Sequence, residues 1–143
     1  MIFKKSGRLP DNTVFNFDNV KIEIVKNFTY LGIVFSTGGS FSEAQSALSG
    51  QALKAIFQMN TYLHRFTSLP VQHRLDLFEK LITPILHYGS QVWGFAQGKC
   101  IVRVHLQFCK QILGVKQCTQ TYFVYGELGR MNCQYVRCFI IIK

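Results

Sequence analysis

The stretch Phe35-Ser36-Thr37-Gly38-Gly39-Ser40-Phe41-Ser42-Glu43-Ala44-Gln45 separates two hydrophobic periods. On its N-terminal side the period is two. Val14-Phe15-Asn16-Phe17 alternates apolar and polar residues, Asp18-Asn19 supplies turn chemistry, and Val20-Lys21-Ile22-Glu23-Ile24-Val25 alternates again, which predicts an antiparallel hairpin. Ile2-Phe3-Lys4-Lys5, ahead of Ser6-Gly7, reads as a further strand. Tyr30-Leu31-Gly32-Ile33-Val34-Phe35 is an almost unbroken apolar run. It predicts one strand covered on both faces, with Gly32 marking the close approach of another backbone or a ligand.

On the C-terminal side the period becomes 3.6. Between Phe41 and Phe66, one stripe collects Ala44, Leu48, Ala52, Ala55, Ile56, Met59, Tyr62, Leu63 and Phe66, while Glu43, Lys54, Gln58, Thr61 and Arg65 fall opposite. Ser40 is the expected N-cap, with Glu43 completing a capping box. Gly50 costs about 1 kcal/mol relative to Ala and weakens this helix without ending it. A second helix is expected from Pro70, carrying Leu75, Phe78, Leu81, Ile82, Ile85 and Leu86 inward, with a kink at Pro84. A third spans Lys99 to Leu113, ended by Gly114. Thr121–Leu128 and Tyr135–Ile142 are expected as short helices.

The charge is large and uneven. Of a net +9, residues 1–79 (eight basic, six acidic) supply +2 and residues 80–143 (eight basic, one acidic) supply +7. Neither Asp nor Glu occurs between Lys80 and Gly126, which favours a polyanionic partner. The 14% aromatic content, including 13 Phe, demands burial in a core or against a partner. The N-terminus lacks an apolar segment of signal-peptide length, and no run approaches the ~18 apolar residues of a membrane span. The expectation is an intracellular chain, nuclear or cytoplasmic, neither secreted nor membrane-bound. Its five cysteines are then reduced thiols, an odd number that closes no disulfide set.

Three segments carry a family likeness. FSTGGSFSEAQ (Phe35–Gln45), ILHYGSQVWG (Ile85–Gly94) and RVHLQFCKQILGVK (Arg103–Lys116), following Tyr30-Leu31-Gly32-Ile33, resemble in order and spacing the region downstream of the polymerase motifs in non-LTR retrotransposon reverse transcriptases, most closely jockey-like elements. The resemblance implies an α+β fold: antiparallel hairpin strands at the N-terminal end of the chain, 1–36, belonging to a palm-like region, and a mainly α-helical thumb- and connection-like bundle over 40–143. It implies that Ile2–Lys5 follows the catalytic loop, that Tyr30–Val34 lies near the primer end, and that both ends of the chain stop short of the family's extent. The parent activity would be RNA-directed DNA polymerisation, and the partner an RNA/DNA template–primer.

Polymerases of that kind hold two metal ions between carboxylates. The family's aromatic-Ala-Asp-Asp loop would lie before Met1, and Asp11, Asp18, Glu23, Glu43, Asp76, Glu79 and Glu127 include no adjacent acidic pair. Asp76 and Glu79 read as a solvated helix face beside Arg74 and Lys80. The chain alone is therefore expected to have no catalytic residues, no polymerase activity and no cofactor, with Mg expected only for the intact parent polymerase. Cys100, His105, Cys109, Cys118, Cys133 and Cys138 contain no Cys-x2-Cys pair, so no metal site is expected, and His105 reads as a core histidine. His64, His73 and His87 have no adjacent nucleophile, and Gly38-Gly39 lacks the Gly-Lys-Ser/Thr ending of a phosphate loop.

What remains is cationic. Lys99, Arg103, Gln107, Lys110 and Gln111 share one face of the third helix, and Lys54, Gln58, Thr61 and Arg65 form a weaker row on the first. Such rows suit phosphate contacts without sequence readout. Tyr30, Gly32, Lys54, Arg65, Lys99, Arg103 and Lys110 are thus the candidate nucleic-acid-binding residues. Tyr30 and Trp93 are read either as base-stacking rings or as core. Two other readings stay open: self-association through exposed aromatic surface, and an element remnant with no function.

Overall fold

In the computed structural model, which describes Ile2 and residues 14–63, 69–94 and 98–129, Asp18 and Asn19 take φ of 48° and 61°. Two successive left-handed residues are what a two-residue type I′ turn demands. Strands β1 (Phe15–Phe17) and β2 (Val20–Ile22) accordingly pair antiparallel, with Phe15 opposite Ile22, Asn16 opposite Lys21 and Phe17 opposite Val20. Of the N-terminal strand expected over Ile2–Lys5, residues 3–5 lie outside the described residues.

The same device reappears where one strand was expected. Leu31 and Gly32 take φ of 47° and 77°, reversing the chain between β3 (Asn27–Tyr30) and β4 (Ile33–Ser36). The Tyr30–Phe35 run is therefore a second hairpin, with Phe28 opposite Phe35 and Tyr30 opposite Ile33. Gly32 takes this conformation without a Cβ penalty, whereas Leu31 bears one. Nor are both faces covered: Tyr30 is 59% and Leu31 72% exposed.

Helix α1 (Ser42–Leu63) opens with the Ser42 N–H donating to Ser40 Oγ at 3.3 Å. The carboxylate of Glu43, the residue expected to complete the capping box, accepts from Asn27 Nδ2 at 2.6 Å and tethers the helix start to β3. The buried stripe holds Ala44, Leu48, Ala52, Ile56 and Met59, as the period requires, while Tyr62 at the end of the helix is exposed. Phe66 lies outside the described residues.

The chain is α+β: two antiparallel hairpins followed by helices. It divides into two compact units, Met1–Ala44 and Gln45–Lys143. In the second, Pro70 precedes α2 (Val71–Leu77), which runs without interruption into a π turn, Phe78–Ile82, and then α3 (Thr83–Leu86). Pro84 sits in the first turn of α3. An ordinary α-helix would set its ring against the Lys80 carbonyl. At the expected kink the helix widens, with the Thr83 N–H donating to the Phe78 carbonyl five residues back. Leu75, Phe78, Ile82 and Leu86 stay buried through the wide turn, but Leu81, expected inward, is exposed.

Left-handed Gly89 leads into α4 (Ser90–Trp93). Trp93 is core: it is 1% exposed and its indole N–H donates to the Tyr88 carbonyl at 2.9 Å. Helix α5 (Lys99–Leu113) ends at Gly114, whose φ of 65° is the left-handed C-cap expected there. Helix α6 (Thr121–Glu127) follows, while the Tyr135–Ile142 helix lies outside the described residues. Among the described residues no helix is long and apolar enough to cross a membrane.

The second hairpin turn gives a direct test. Leu31→Asn should stabilise β3–β4 by about 1 kcal/mol, since Asn tolerates the left-handed region, and Gly32→Ala should destabilise it by a similar amount. Amide hydrogen exchange of Phe28 and Phe35, a hydrogen-bonded cross-strand pair, should slow in the first variant and accelerate in the second, each by roughly fivefold.

Candidate nucleic-acid interface

Helix α5 is the most sharply divided element of the chain. Ile101, Val104, Phe108 and Cys109 are buried on one side. Lys99, Arg103, Gln107 and Gln111 are exposed on the other. At 1.5 Å per residue this exposed row is about 18 Å long, with Lys99 and Arg103 about 6 Å apart along the axis. Gly98 precedes the helix and offers no side-chain cap, and the first turn contains no acid. The N-terminal N–H groups, the positive end of the helix dipole and two cations therefore coincide at one end. Placing Lys99 there costs the isolated helix stability and favours an anion.

Lys110 departs from the expected row. Helical spacing places it between Lys99 and Arg103 in projection, yet it is 6% exposed and its ammonium donates to the Gln117 carbonyl at 2.5 Å. The left-handed turn at Gly114 sends the chain back toward this face, with the Val115 N–H bonded to the Lys110 carbonyl. Lys110 thus acts as a tie within the α5–α6 connection. It also complements the negative end of the helix dipole.

The other candidates are more scattered. Lys54 and Gln58 are exposed on α1, but the Thr61 hydroxyl donates to the Phe57 carbonyl at 2.9 Å and is committed to its own helix. Arg65 lies outside the described residues. Tyr30 and Gly32 belong to the first unit, Tyr30 closing β3 and Gly32 in the turn, both exposed. Within the second unit, α5 brings Lys99 and Arg103 together on one face. The sequence reading overlooked Tyr122 and Phe123, which are 83% and 73% exposed and line, with Gly126 and Glu127, a shallow groove of about 370 Å³. The available signal was Thr121-Tyr122-Phe123-Val124-Tyr125 on a short helix: at 100° per residue these side chains cannot all face inward.

Beneath the basic row, His105 is sandwiched. Its ring stacks on Tyr125 at 5.6 Å and lies 5.4 Å from Phe78. Nδ1 is 3.3 Å from the Tyr125 hydroxyl and Nε2 is 3.7 Å from Cys109 Sγ. Burial, reinforced by His87, lowers its pKa to about 4, so the ring is neutral at physiological pH and adds no charge to the interface. His87 itself donates from Nδ1 to the Thr83 carbonyl at 2.9 Å. Cys109 is fully buried, Cys100 half-buried and Cys118 exposed, while Cys133, Cys138 and His64 lie outside the described residues. Among the described residues no group of three His, Cys, Asp or Glu could hold a metal ion. The described carboxylates are dispersed: Asp18 at a hairpin tip, Glu23 just after β2, Glu43 bonded to Asn27, Asp76 bonded to Gln72 with Glu79 on the same helical run, and Glu127 on α6. These described acids do not fit a two-metal polymerase centre.

Comparison with known proteins returned no matching family model, no matching curated protein and no matching solved structure.

The buried histidine makes stability depend on pH. A depressed folded-state pKa means that unfolding takes up a proton, so the neutral ring's contribution is present above the unfolded value near 6.5 and is lost as pH falls toward about 4. Between pH ~7 and ~5 the second unit should lose about 2 kcal/mol of unfolding free energy through this group. Urea titrations followed by Trp93 fluorescence should show that loss, and His105→Gln should flatten it.

Proposed function

We propose that this chain is the C-terminal part of a reverse transcriptase related to those of non-LTR retrotransposons, and that it holds template–primer nucleic acid through phosphate contacts without polymerising. The observation that carries the reading is the exposed Lys99–Arg103–Gln107–Gln111 row on α5, set in a stretch free of acids from Leu81 to Tyr125. Support comes also from the order of elements, hairpins and then helices, which is the order the resemblance implies. Lys99 and Arg103 supply the charge. Gln107 and Gln111 supply amide donors to phosphate or sugar oxygens, which position a strand without reading its sequence. Lys54 on α1 adds a further cation. Lys110 is withdrawn from this role because its ammonium is already bonded.

Neutralising about three phosphates gives a log–log salt slope near −2 on single-stranded nucleic acid. Fluorescence anisotropy of a labelled single-stranded RNA, titrated across KCl concentrations, should recover it. Replacing Lys99 and Arg103 together by Ala should make the slope shallower by about 1.4. Lys110→Met should leave the slope unchanged while lowering stability. Primer extension with Mg should give no product in any of these proteins. Absence of salt-dependent binding by the unmodified chain would end the proposal.

A further inference from the structure

The outward face of α6 is built against the stability of its own helix. Val124, Tyr125 and Leu128 pack inward with Cys109, Leu106 and Leu113 of α5. The four residues left outside, Tyr122, Phe123, Gly126 and Glu127, line the groove of about 370 Å³, at the small end of ligand-sized cavities. Tyr122 and Phe123 hold most of two rings in water. Gly126 lowers helix stability relative to alanine, yet its φ is not positive and, among the described residues, no atom lies within 4 Å of where a Cβ would sit. Neither backbone conformation nor packing asks for glycine there. Glu127, exposed, is the last residue of α6, at the negative end of the helix dipole, where a carboxylate is unfavourable. At 3.6 residues per turn the rings stand one turn before Gly126 and Glu127 on the same side. The missing side chain of Gly126 thus leaves an open floor between ring faces and a carboxylate.

We propose that this groove is a base-binding site that takes an unpaired guanine of a single-stranded nucleic acid, an assignment that rests on the phosphate-binding reading of α5. Exposed aromatic rings accept the flat face of any base. A carboxylate only accepts, so it selects an edge that donates. Guanine presents N1–H and N2–H side by side, two donors for the two carboxylate oxygens. Adenine and cytosine set an acceptor beside their amino group, and uracil flanks its one N–H with two carbonyls, so each turns a lone pair toward the carboxylate.

Charge decides against the other ligand such a groove could hold. A cationic peptide side chain would also meet ring faces and a carboxylate. However, residues 45–143 hold eleven basic and three acidic side chains, a net +8, and Glu127 is the only acid after Lys80. That unit repels a cationic peptide and attracts an anionic backbone. A nucleotide strand with a donating base edge answers both the charge of the unit and the isolated carboxylate. Because α6 packs on α5, the groove and the Lys99–Arg103 row belong to one packed pair of helices.

The test reads groove and row separately in the full chain. In about 1 M KCl, where phosphate contacts are screened, guanosine monophosphate should shift the Gly126 and Glu127 amide resonances saturably, and uridine monophosphate at least fivefold less readily. At low salt, changing one central uridine of a short oligouridine to guanosine should tighten binding about tenfold. Glu127→Ala should erase that preference, and Tyr122→Ala with Phe123→Ala should weaken the guanine-containing RNA about tenfold. Neither change should alter the salt slope, which belongs to α5. Gly126→Leu should block the groove while raising the melting temperature, so lost binding in that variant is not lost folding. A salt slope without guanine preference, a preference that survives Glu127→Ala, or tighter capture of an arginine-rich peptide would overturn the groove assignment and leave the α5 reading in place. Resonance shifts with guanosine monophosphate but no salt-dependent RNA binding would overturn the α5 reading alone, and absence of both would end both.

Discussion

Phe78 and Phe108 lie nearly face to face, with ring centroids 4.3 Å apart and planes 22° from parallel, and the helical unit is organised around that contact. Phe78 is the first residue of the π turn and Phe108 the inward centre of α5. Two rings of this size at almost complete burial contribute several kcal/mol between them, roughly 1.5–3 each from burial. Widening the helix at Phe78–Ile82 accommodates Pro84 while keeping Phe78, Ile82 and Leu86 on the buried side. A proline that would have broken the helix is absorbed one turn early. His105 and Tyr125 then extend the stack sideways into α6, where Cys109, Val124 and Tyr125 close a smaller core with Leu106, Leu113 and Leu128.

The outer face of α5 follows from the inner one. Fixing Ile101, Val104 and Phe108 inward leaves Lys99, Arg103, Gln107 and Gln111 no alternative to solvent. Because His105 is held neutral, the charge of this region comes from lysine and arginine, and it persists across the physiological pH range. Burial of Lys110 against the Gln117 carbonyl spends one cation on holding the α5–α6 connection, and shortens the cationic part of the row to its N-terminal half. There the helix dipole has the same sign as the side chains.

Periodicity was enough to read α1, α2 and α5, because burial on one side is a property of spacing, whereas α4, a single turn, is too short to show a period. Both the Lys99–Leu113 limits of α5 and its Gly114 cap are visible in the residues themselves. So was the Asp18-Asn19 turn, whose side chains tolerate left-handed backbone. Leu31-Gly32 was concealed by an apolar residue in a turn position, where composition imitates a continuous strand. Lys110 was concealed for a different reason. Its place on the helical wheel is correct, and only the return of the chain after Gly114 buries it, a long-range event that a wheel cannot contain. The π turn belongs to the same class: Pro84 announces a broken ladder but not which of several repairs the surrounding core selects.

The two proposed surfaces also differ in what solvent does to them. Phosphate contacts by α5 gain from counterion release and weaken as salt rises. The aromatic face of α6 gains from exclusion of water and is little affected by moderate salt, or is strengthened by strongly hydrated salts. The first unit carries a net +1 and the second a net +8, yet the second also exposes Phe57, Tyr122 and Phe123. Within the helical unit the two chemistries are divided by helix: α5 turns its cations to solvent and buries Ile101, Val104 and Phe108, while α6 turns Tyr122 and Phe123 to solvent. A salt titration therefore acts on the α5 row and leaves the α6 rings in the same water.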